Sequence, residues 1–126
     1  MAVYFHGFLD PPEIERPPQS QAVKSGGIAA FYCYATGEPT PSFTWKKNGK
    51  KLRYTDSRSV VSKIVEEIED VTLRYLISDF EGGSLLRIEP VRKKKEAGIY
   101  ECVAENGNGD PVSVEAELTV YDGKCT

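Results

Sequence analysis

The sequence predicts an all-β chain folded as a sandwich of two packed sheets, on three observations. The first is EAGIYECVAENGNG, Glu96 to Gly109, where a tyrosine stands two residues before a cysteine. Strand side chains alternate with a period of two, so Tyr100, Cys102, Ala104 and Asn106 share one face. The second is an upstream partner for that strand: Cys33 on another alternating run, with Trp45 twelve residues further on. The third is the rhythm of the remainder, short alternating runs parted by Gly, Pro and Asn turns. That rhythm suits a sandwich better than a helical or parallel-sheet class.

Together these spacings are those of an immunoglobulin-like sandwich. There, a buried tryptophan follows the first cysteine of an inter-sheet disulfide and a corner tyrosine precedes the second. The pattern pairs Cys33 with Cys102. Cys125 is left over past the last strand, an exposed thiol able to join two chains in an oxidising buffer. A disulfide closing so long a loop contributes about 4 kcal/mol on the chain-entropy model, and it suits an extracellular compartment. At 126 residues and 14.0 kDa the chain is sized for one domain around one core. Hydrophobic residues at 40% and charged residues at 28% argue against wholesale disorder. MAVYFHGFLD lacks the basic start and long apolar run of a signal peptide, and no transmembrane segment is read, which fits a piece of a larger secreted or membrane protein and equally a cytoplasmic one. Three distant cysteines and a single histidine, His6, make a poor ligand set, so neither metal nor cofactor is expected.

In order, residues 1–10 read as a leader or cloning remnant, 11–122 as the domain and 123–126 as a tail. Asp10 to Pro18 is too proline-rich for a central strand but acceptable at an edge, with Ile14 as its buried anchor. Gln21 to Lys24 is expected as a short second half of that edge strand, closed by a Ser25-Gly26-Gly27 turn. Gly27 to Thr36 is the first cysteine strand, with Ala29, Phe31 and Cys33 inward and Ile28 and Ala30 outward or partly covered. GEPTP, Gly37 to Pro41, is a turn. Phe43 and Trp45 then alternate inward, and Asn48-Gly49 within KKNGKK signals a type I′ hairpin.

From Arg53 to Phe80 no single period holds. Ile64 and Ile68 allow a short helix across Ser62 to Asp70, whereas Val71, Leu73 and Tyr75 alternate as a strand. An elongated ribbon or loop is favoured there, a longer than usual segment between strands C and E of the sandwich. After a Gly82-Gly83 turn, Leu86 and Ile88 face inward and Val91 packs beyond Pro90. A charged run, RKKKE, leads into Tyr100. Val112 to Val120 is a long last strand with Val112, Val114, Ala116, Leu118 and Val120 on one face.

A net charge of −3 would usually argue against a polyanion partner, but the cations are unevenly spread. Lys46, Lys47, Lys50, Lys51 and Arg53 form one block; Arg92, Lys93, Lys94 and Lys95 form another. Each alone reads as a solvated turn. In the predicted sandwich, however, the turn after Trp45 and the loop before Tyr100 fall at one end, joined by the turn after Lys24. The two blocks then merge into one field, whose self-repulsion a polyanion relieves. Sulfate groups take point charges from lysine and a forked donor from arginine. Nucleic acid is not an expected partner, because no base-stacking aromatics stand among these residues and an oxidising compartment is implied. Glu66, Glu67, Glu69 and Asp70 read as a solvated tip or as counter-charge to the basic turns.

Gly27 to Cys33, Trp45, SLLRIEPV, EAGIYEC, Ala104, Asn106 and Gly109 together resemble an intermediate-set immunoglobulin domain spanning Pro11 to Asp122. PPEIERPPQSQAVKSGG, ATGEPTPSFTWKKNGKKL, GGSLLRIEPVR and YECVAENGNGDPVSVEAELTVYDG go further. They are similar to the first immunoglobulin domain of the LAR-type receptor protein tyrosine phosphatases, the invertebrate members in particular. The resemblance implies a module in the extracellular portion of a single-pass cell-surface adhesion receptor of axons and synapses. It implies binding to the heparan and chondroitin sulfate chains of proteoglycans through a lysine-rich loop, here Lys46, Lys47, Lys50 and Lys51, with Arg87 and Arg92 in the matching later segment. Other partners it implies are synaptic or matrix adhesion proteins and a neighbouring immunoglobulin domain of the same receptor. The chain departs from the family at Glu96, where aspartate is usual; the arginine that pairs with that acid would be Arg58 or Arg74. It departs again in the length of Tyr54 to Phe80, which bears on any contact with protein ligands made there.

Catalysis finds no foothold in the residues. His6 sits in the leader, no nucleophile elbow is present, and Cys102 is committed to the disulfide. No cysteine is closely followed by an arginine in a phosphate-cradling loop, so any phosphatase chemistry of a parent receptor lies in other domains. Two classes remain: a glycosaminoglycan-binding module, or a protein-adhesion or spacer domain whose basic end faces solvent.

Overall fold

Alternation is the first cause of this fold, and the computed structural model shows where each alternating run goes. It describes residues 10–52 and 75–123. β1 (Glu13–Arg16), β3 (Ala29–Thr36), β7 (Gly83–Ile88) and β6 (Tyr75–Phe80) form a four-stranded sheet in the order β1-β3-β7-β6. β2 (Gln21–Lys24), β9 (Val112–Tyr121), β8 (Gly98–Glu105), β4 (Ser42–Lys47) and β5 (Lys50–Lys51) form a second sheet, in the order β2-β9-β8-β4-β5. One helical turn, α1 (Lys93–Glu96), interrupts the path from β7 to β8.

The Cys33–Cys102 disulfide joins the central strands of the two sheets. Around it, Phe31 stacks on Tyr100 with ring centroids 5.2 Å apart and leans on Trp45 at 6.4 Å. Ala29, Leu86, Ile88, Val91 and Leu118 complete a dry layer between the sheets. Burying an indole requires an acceptor for its N–H. Trp45 Nε1 donates to Ser84 Oγ at 2.9 Å, and Ser84 in turn donates to Asp79 Oδ1 at 2.6 Å. The corner tyrosine is equally satisfied: the Tyr100 hydroxyl donates to the Glu96 carbonyl at 2.6 Å.

Most inward positions are those the alternation assigns, but four expectations change. Gln21–Lys24 is not a second half of the β1 edge. It crosses to the other sheet and runs parallel to β9, from Gln21 opposite Leu118 to Lys24 opposite Tyr121. Pro17 and Pro18 cause the crossing, since neither has an N–H to continue the β1–β3 ladder. Ile14 and Phe43 pack against the core half-buried rather than inside it. The turn before β7 is Glu81-Gly82, and Gly83 is already strand: a Cβ there would stand 2.4 Å from the Phe80 ring. The RKKKE run forms the turn of helix α1 rather than a plain loop.

Tyr75, expected on a strand, begins β6. The helix weighed for Ser62 to Asp70, the alternation at Val71 and Leu73, the acidic cluster from Glu66 to Asp70, His6, Arg58, Arg74 and Cys125 all lie outside the described residues.

Candidate functional site

The end of the sandwich where β4 passes into β5 carries the chain's basic character. Asn48 and Gly49 have φ of 50° and 85°, the pair of positive values that a type I′ turn requires. That turn is fastened to β8 twice: the Asn48 N–H donates to the Ile99 carbonyl at 2.7 Å, and the Ile99 N–H donates to Asn48 Oδ1 at 2.9 Å. So close an approach depends on Gly98, whose φ is +154° and whose added Cβ would lie 2.9 Å from Asn48 Oδ1. Lys46 and Lys51 are a cross-strand pair, as are Lys47 and Lys50, so the hairpin carries one lysine pair on each of its two faces.

α1 is positioned from below by Val91, which is fully buried. The Val91 carbonyl accepts from Gly26 N–H at 2.8 Å, and its own N–H donates to the Gly27 carbonyl at 3.0 Å. Glu96, 2% exposed, folds back over the turn: its carboxylate accepts the Arg92 N–H at 2.6 Å and lies 3.3 Å from Arg92 Nε. The two basic runs then meet. The Lys47 ammonium donates to the Lys95 carbonyl. Lys24 stands at the same end, on β2 beside Tyr121, and Lys93 lies 3.7 Å from Asp122, the residue just past β9.

Lys46, Lys47, Lys50 and Lys51 are therefore gathered with Arg92, Lys93, Lys94 and Lys95. Lys50, Lys51, Lys93, Lys94 and Lys95 are exposed, while Lys46, Lys47 and Arg92 are half-buried. Arg87 stands elsewhere, facing outward from the four-stranded sheet and paired with Glu89 at 2.9 Å. Arg53 lies outside the described residues. Burial lowers the Lys47 ammonium below the ordinary lysine pKa, with the nearby Glu96 charge opposing that shift. Tyr100 is pushed well above the ordinary tyrosine range, chiefly by burial and next by the neighbouring Tyr75 hydroxyl 3.5 Å away.

The opposite end is acidic, a feature the sequence reading did not anticipate. Asp10, Glu13, Glu38 and Glu81 line an open groove of about 790 Å³ there, with Pro11, Pro12 and Pro41 as its apolar lining. Glu38 and Asp110 sit on the turns at that end, and Glu105 closes β8. The alternating positions needed to find it were visible, but the acids come from five separate segments and form no run. The clamp made by Asn48 was legible only as a turn signal, because a side-chain acceptor for a strand 51 positions away leaves no local pattern.

Such an arrangement fixes a dense positive field on one pole and a negative one on the other. It offers charge recognition. Among the described residues no group of three or more His, Cys, Asp or Glu is placed to hold a metal, and no helix is long and apolar enough to cross a membrane.

A family model for the immunoglobulin domain matches residues 11–106. The chain is 50% identical over 117 residues to the tyrosine-protein phosphatase Lar of Drosophila melanogaster, covering 92% of this chain and 5% of that protein. It superposes on the N-terminal Ig1-2 module of the Drosophila receptor protein tyrosine phosphatase DLAR with a TM-score of 0.74 and 49% identity. That match covers 92% of this chain and 52% of the module. A complex of titin M10 with obscurin-like 1 matches nearly as well in shape, with a TM-score of 0.72, but at 25% identity over 91% of this chain. Shape alone therefore does not separate these relatives, whereas identity does.

Proposed function

The chain belongs to the immunoglobulin-domain family, and from that premise we propose that it is the first immunoglobulin domain of a LAR-type receptor tyrosine phosphatase, binding sulfated glycosaminoglycans. Its homology to the immunoglobulin region of those receptors supports the placement. An immunoglobulin domain is a binding module and not a catalytic one. In this reading it works on the extracellular side of a single-pass cell-surface protein, meeting heparan or chondroitin sulfate chains of proteoglycans in axon guidance or synapse organisation.

One observation carries the ligand class: two basic runs, distant in sequence, are tied together through Lys47 and the Lys95 carbonyl. Lys46, Lys47, Lys50, Lys51, Arg53, Arg92, Lys93, Lys94 and Lys95 are the proposed cationic surface, with Arg87 as an outlying member. A flexible lysine surface follows charge density more than ring pattern, so it accepts more than one sulfated chain. The experiment is affinity for a heparin-derived oligosaccharide across a NaCl series, with Lys46, Lys47, Lys50 and Lys51 all changed to alanine. At roughly 1 kcal/mol per cation near a polyanionic surface, the variant should lose about 100-fold or more and show a shallower salt dependence. A folded variant that binds like the parent would remove the reading.

A protein-adhesion role has one observation in its favour. The outer face of the four-stranded sheet leaves Tyr32, Leu76 and Phe80 exposed at 49%, 45% and 42%, with Ile28 at its margin. Apolar side chains grouped on a sheet face are what a protein partner covers. Synaptic or matrix adhesion proteins, or the neighbouring domain of the same receptor, are the partners this reading names.

A further inference from the structure

We propose that the outer face of the five-stranded sheet is a self-recognition surface, on which a second copy of this chain docks about a two-fold axis parallel to the strands. It stands apart from the polyanion reading above.

Strand register sets the charge pattern. On β4, Trp45 is buried, so Lys46 points to the opposite, outer face. Tyr100 and Cys102 are buried on either side of Glu101, and Ala116 is buried beside Glu115, so both acids point outward as well. Lys51 stands opposite Lys46, Lys46 opposite Glu101, and Glu101 opposite Glu115. One row across β5, β4, β8 and β9 therefore reads Lys51, Lys46, Glu101, Glu115: two cations, then two anions. β2 does not extend it, because that strand pairs with β9 only from Leu118 onward. The next outward row is Thr44, Val103 and Ser113, short and uncharged.

A single copy gains little from this order. Like charges directly opposite on neighbouring strands destabilise a sheet, and the row holds two such pairs, Lys46 with Lys51 and Glu101 with Glu115. Only the step from Lys46 to Glu101 joins opposite signs, and among the described residues none of the four is in a salt bridge.

A two-fold axis running along the strands between β4 and β8 reverses the row. Lys51 and Lys46 of one copy then stand opposite Glu115 and Glu101 of the other, and the reverse, as an isologous contact demands. Every charge meets its opposite, and Thr44 meets Val103. Sheets stacked face to face lie about 10 Å apart with their strands roughly aligned, a gap that a lysine and a glutamate reaching toward each other close. Glu101 and Glu115 repel a polyanion from this face, whereas a second copy carries the matching order by construction. Both copies keep their basic ends pointing the same way. Lys46 and Lys51 belong to the proposed polyanion surface too, so the two uses compete. The face is small and its ion pairs are partly solvated, which places the association in the weak class.

Sedimentation equilibrium of the whole chain tests this, with Cys125→Ser throughout so that no inter-chain disulfide contributes. At about 10 mM NaCl the parent should pass from 14.0 kDa toward twice that mass as the chain nears about 1 mM, and about 1 M NaCl should return it to monomer. K46E/K51E should be monomeric throughout. K46E/K51E/E101K/E115K inverts the row and keeps the net charge at −3. It should dimerise with itself within about threefold of the parent's dissociation constant and form no mixed dimer with the parent. A parent still monomeric at about 1 mM overturns the proposal. So does a K46E/K51E protein that associates like the parent, or a folded inverted protein that stays monomeric or pairs with the parent. Amide shifts on diluting the parent need no variant: Thr44, Val103 and Ser113 should move. Movement centred on Tyr32 and Leu76, or on Lys93 and Glu81, overturns it as well.

Discussion

Two buried hydrogen bonds set the energetics of single residues here. Trp45 fills the centre of the core and donates to Ser84, so Trp45→Phe loses both a donor and packed volume. About 2 kcal/mol of stability should go with it, measured as a shift in the denaturant midpoint at unchanged slope. Tyr100 bears on pH. Its phenol keeps its proton in the folded state well above the ordinary tyrosine pKa, whereas the unfolded chain releases it near pH 10. Above that pH the unfolded state binds fewer protons, so stability falls as pH rises. The decline should begin around pH 10 and be smaller in Tyr100→Phe, which has nothing to release. Equal declines in both proteins would assign the effect to other groups.

These residue roles were the most legible part of the sequence, because Tyr100, Cys102, Cys33 and Trp45 occupy spacings that only one packing satisfies. Asn48 was not. Its sequence context, Asn-Gly between lysines, gives the turn type but not the acceptor it offers to Ile99.

Among elements, the informative ones are those whose ends are decided by chemistry other than alternation. β2 carries a period-two pattern that does not say which sheet it joins; the prolines before it, and the backbone groups β9 leaves open, decide that. α1 is short enough that no periodicity announces it, and it exists because Glu96 and Tyr100 satisfy its backbone. The β4–β5 hairpin is held by the Asn48 clamp. Asn48→Ala removes the acceptor for the Ile99 N–H and leaves a side chain ill-suited to a φ of 50°. It should cost about 1–2 kcal/mol, with amide exchange at Ile99 rising more than at Cys102. Exchange that rises equally at both would mean the clamp is not local.

At the scale of the whole molecule the sandwich acts as an insulator between two poles. A net charge of −3 conceals a basic end and an acidic end, so in the proposed function a polyanion would approach the basic end first. The disulfide joins the two sheets between those ends. Replacing Cys33 and Cys102 together with alanine should cost about 2–5 kcal/mol, read as the loss in unfolding free energy. The basic pole was legible because its cations come in two runs. The acidic one was hidden, being assembled from single acids on separate strands and turns.

The central claim is that both basic runs form one ligand surface, and amide chemical-shift mapping with a heparin-derived oligosaccharide tests it most directly. Shifts should saturate together across Lys46 to Lys51 and Arg92 to Ala97, with Glu38, Glu81 and Asp110 unmoved. Shifts confined to one run, or centred on Tyr32 and Leu76, would contradict it.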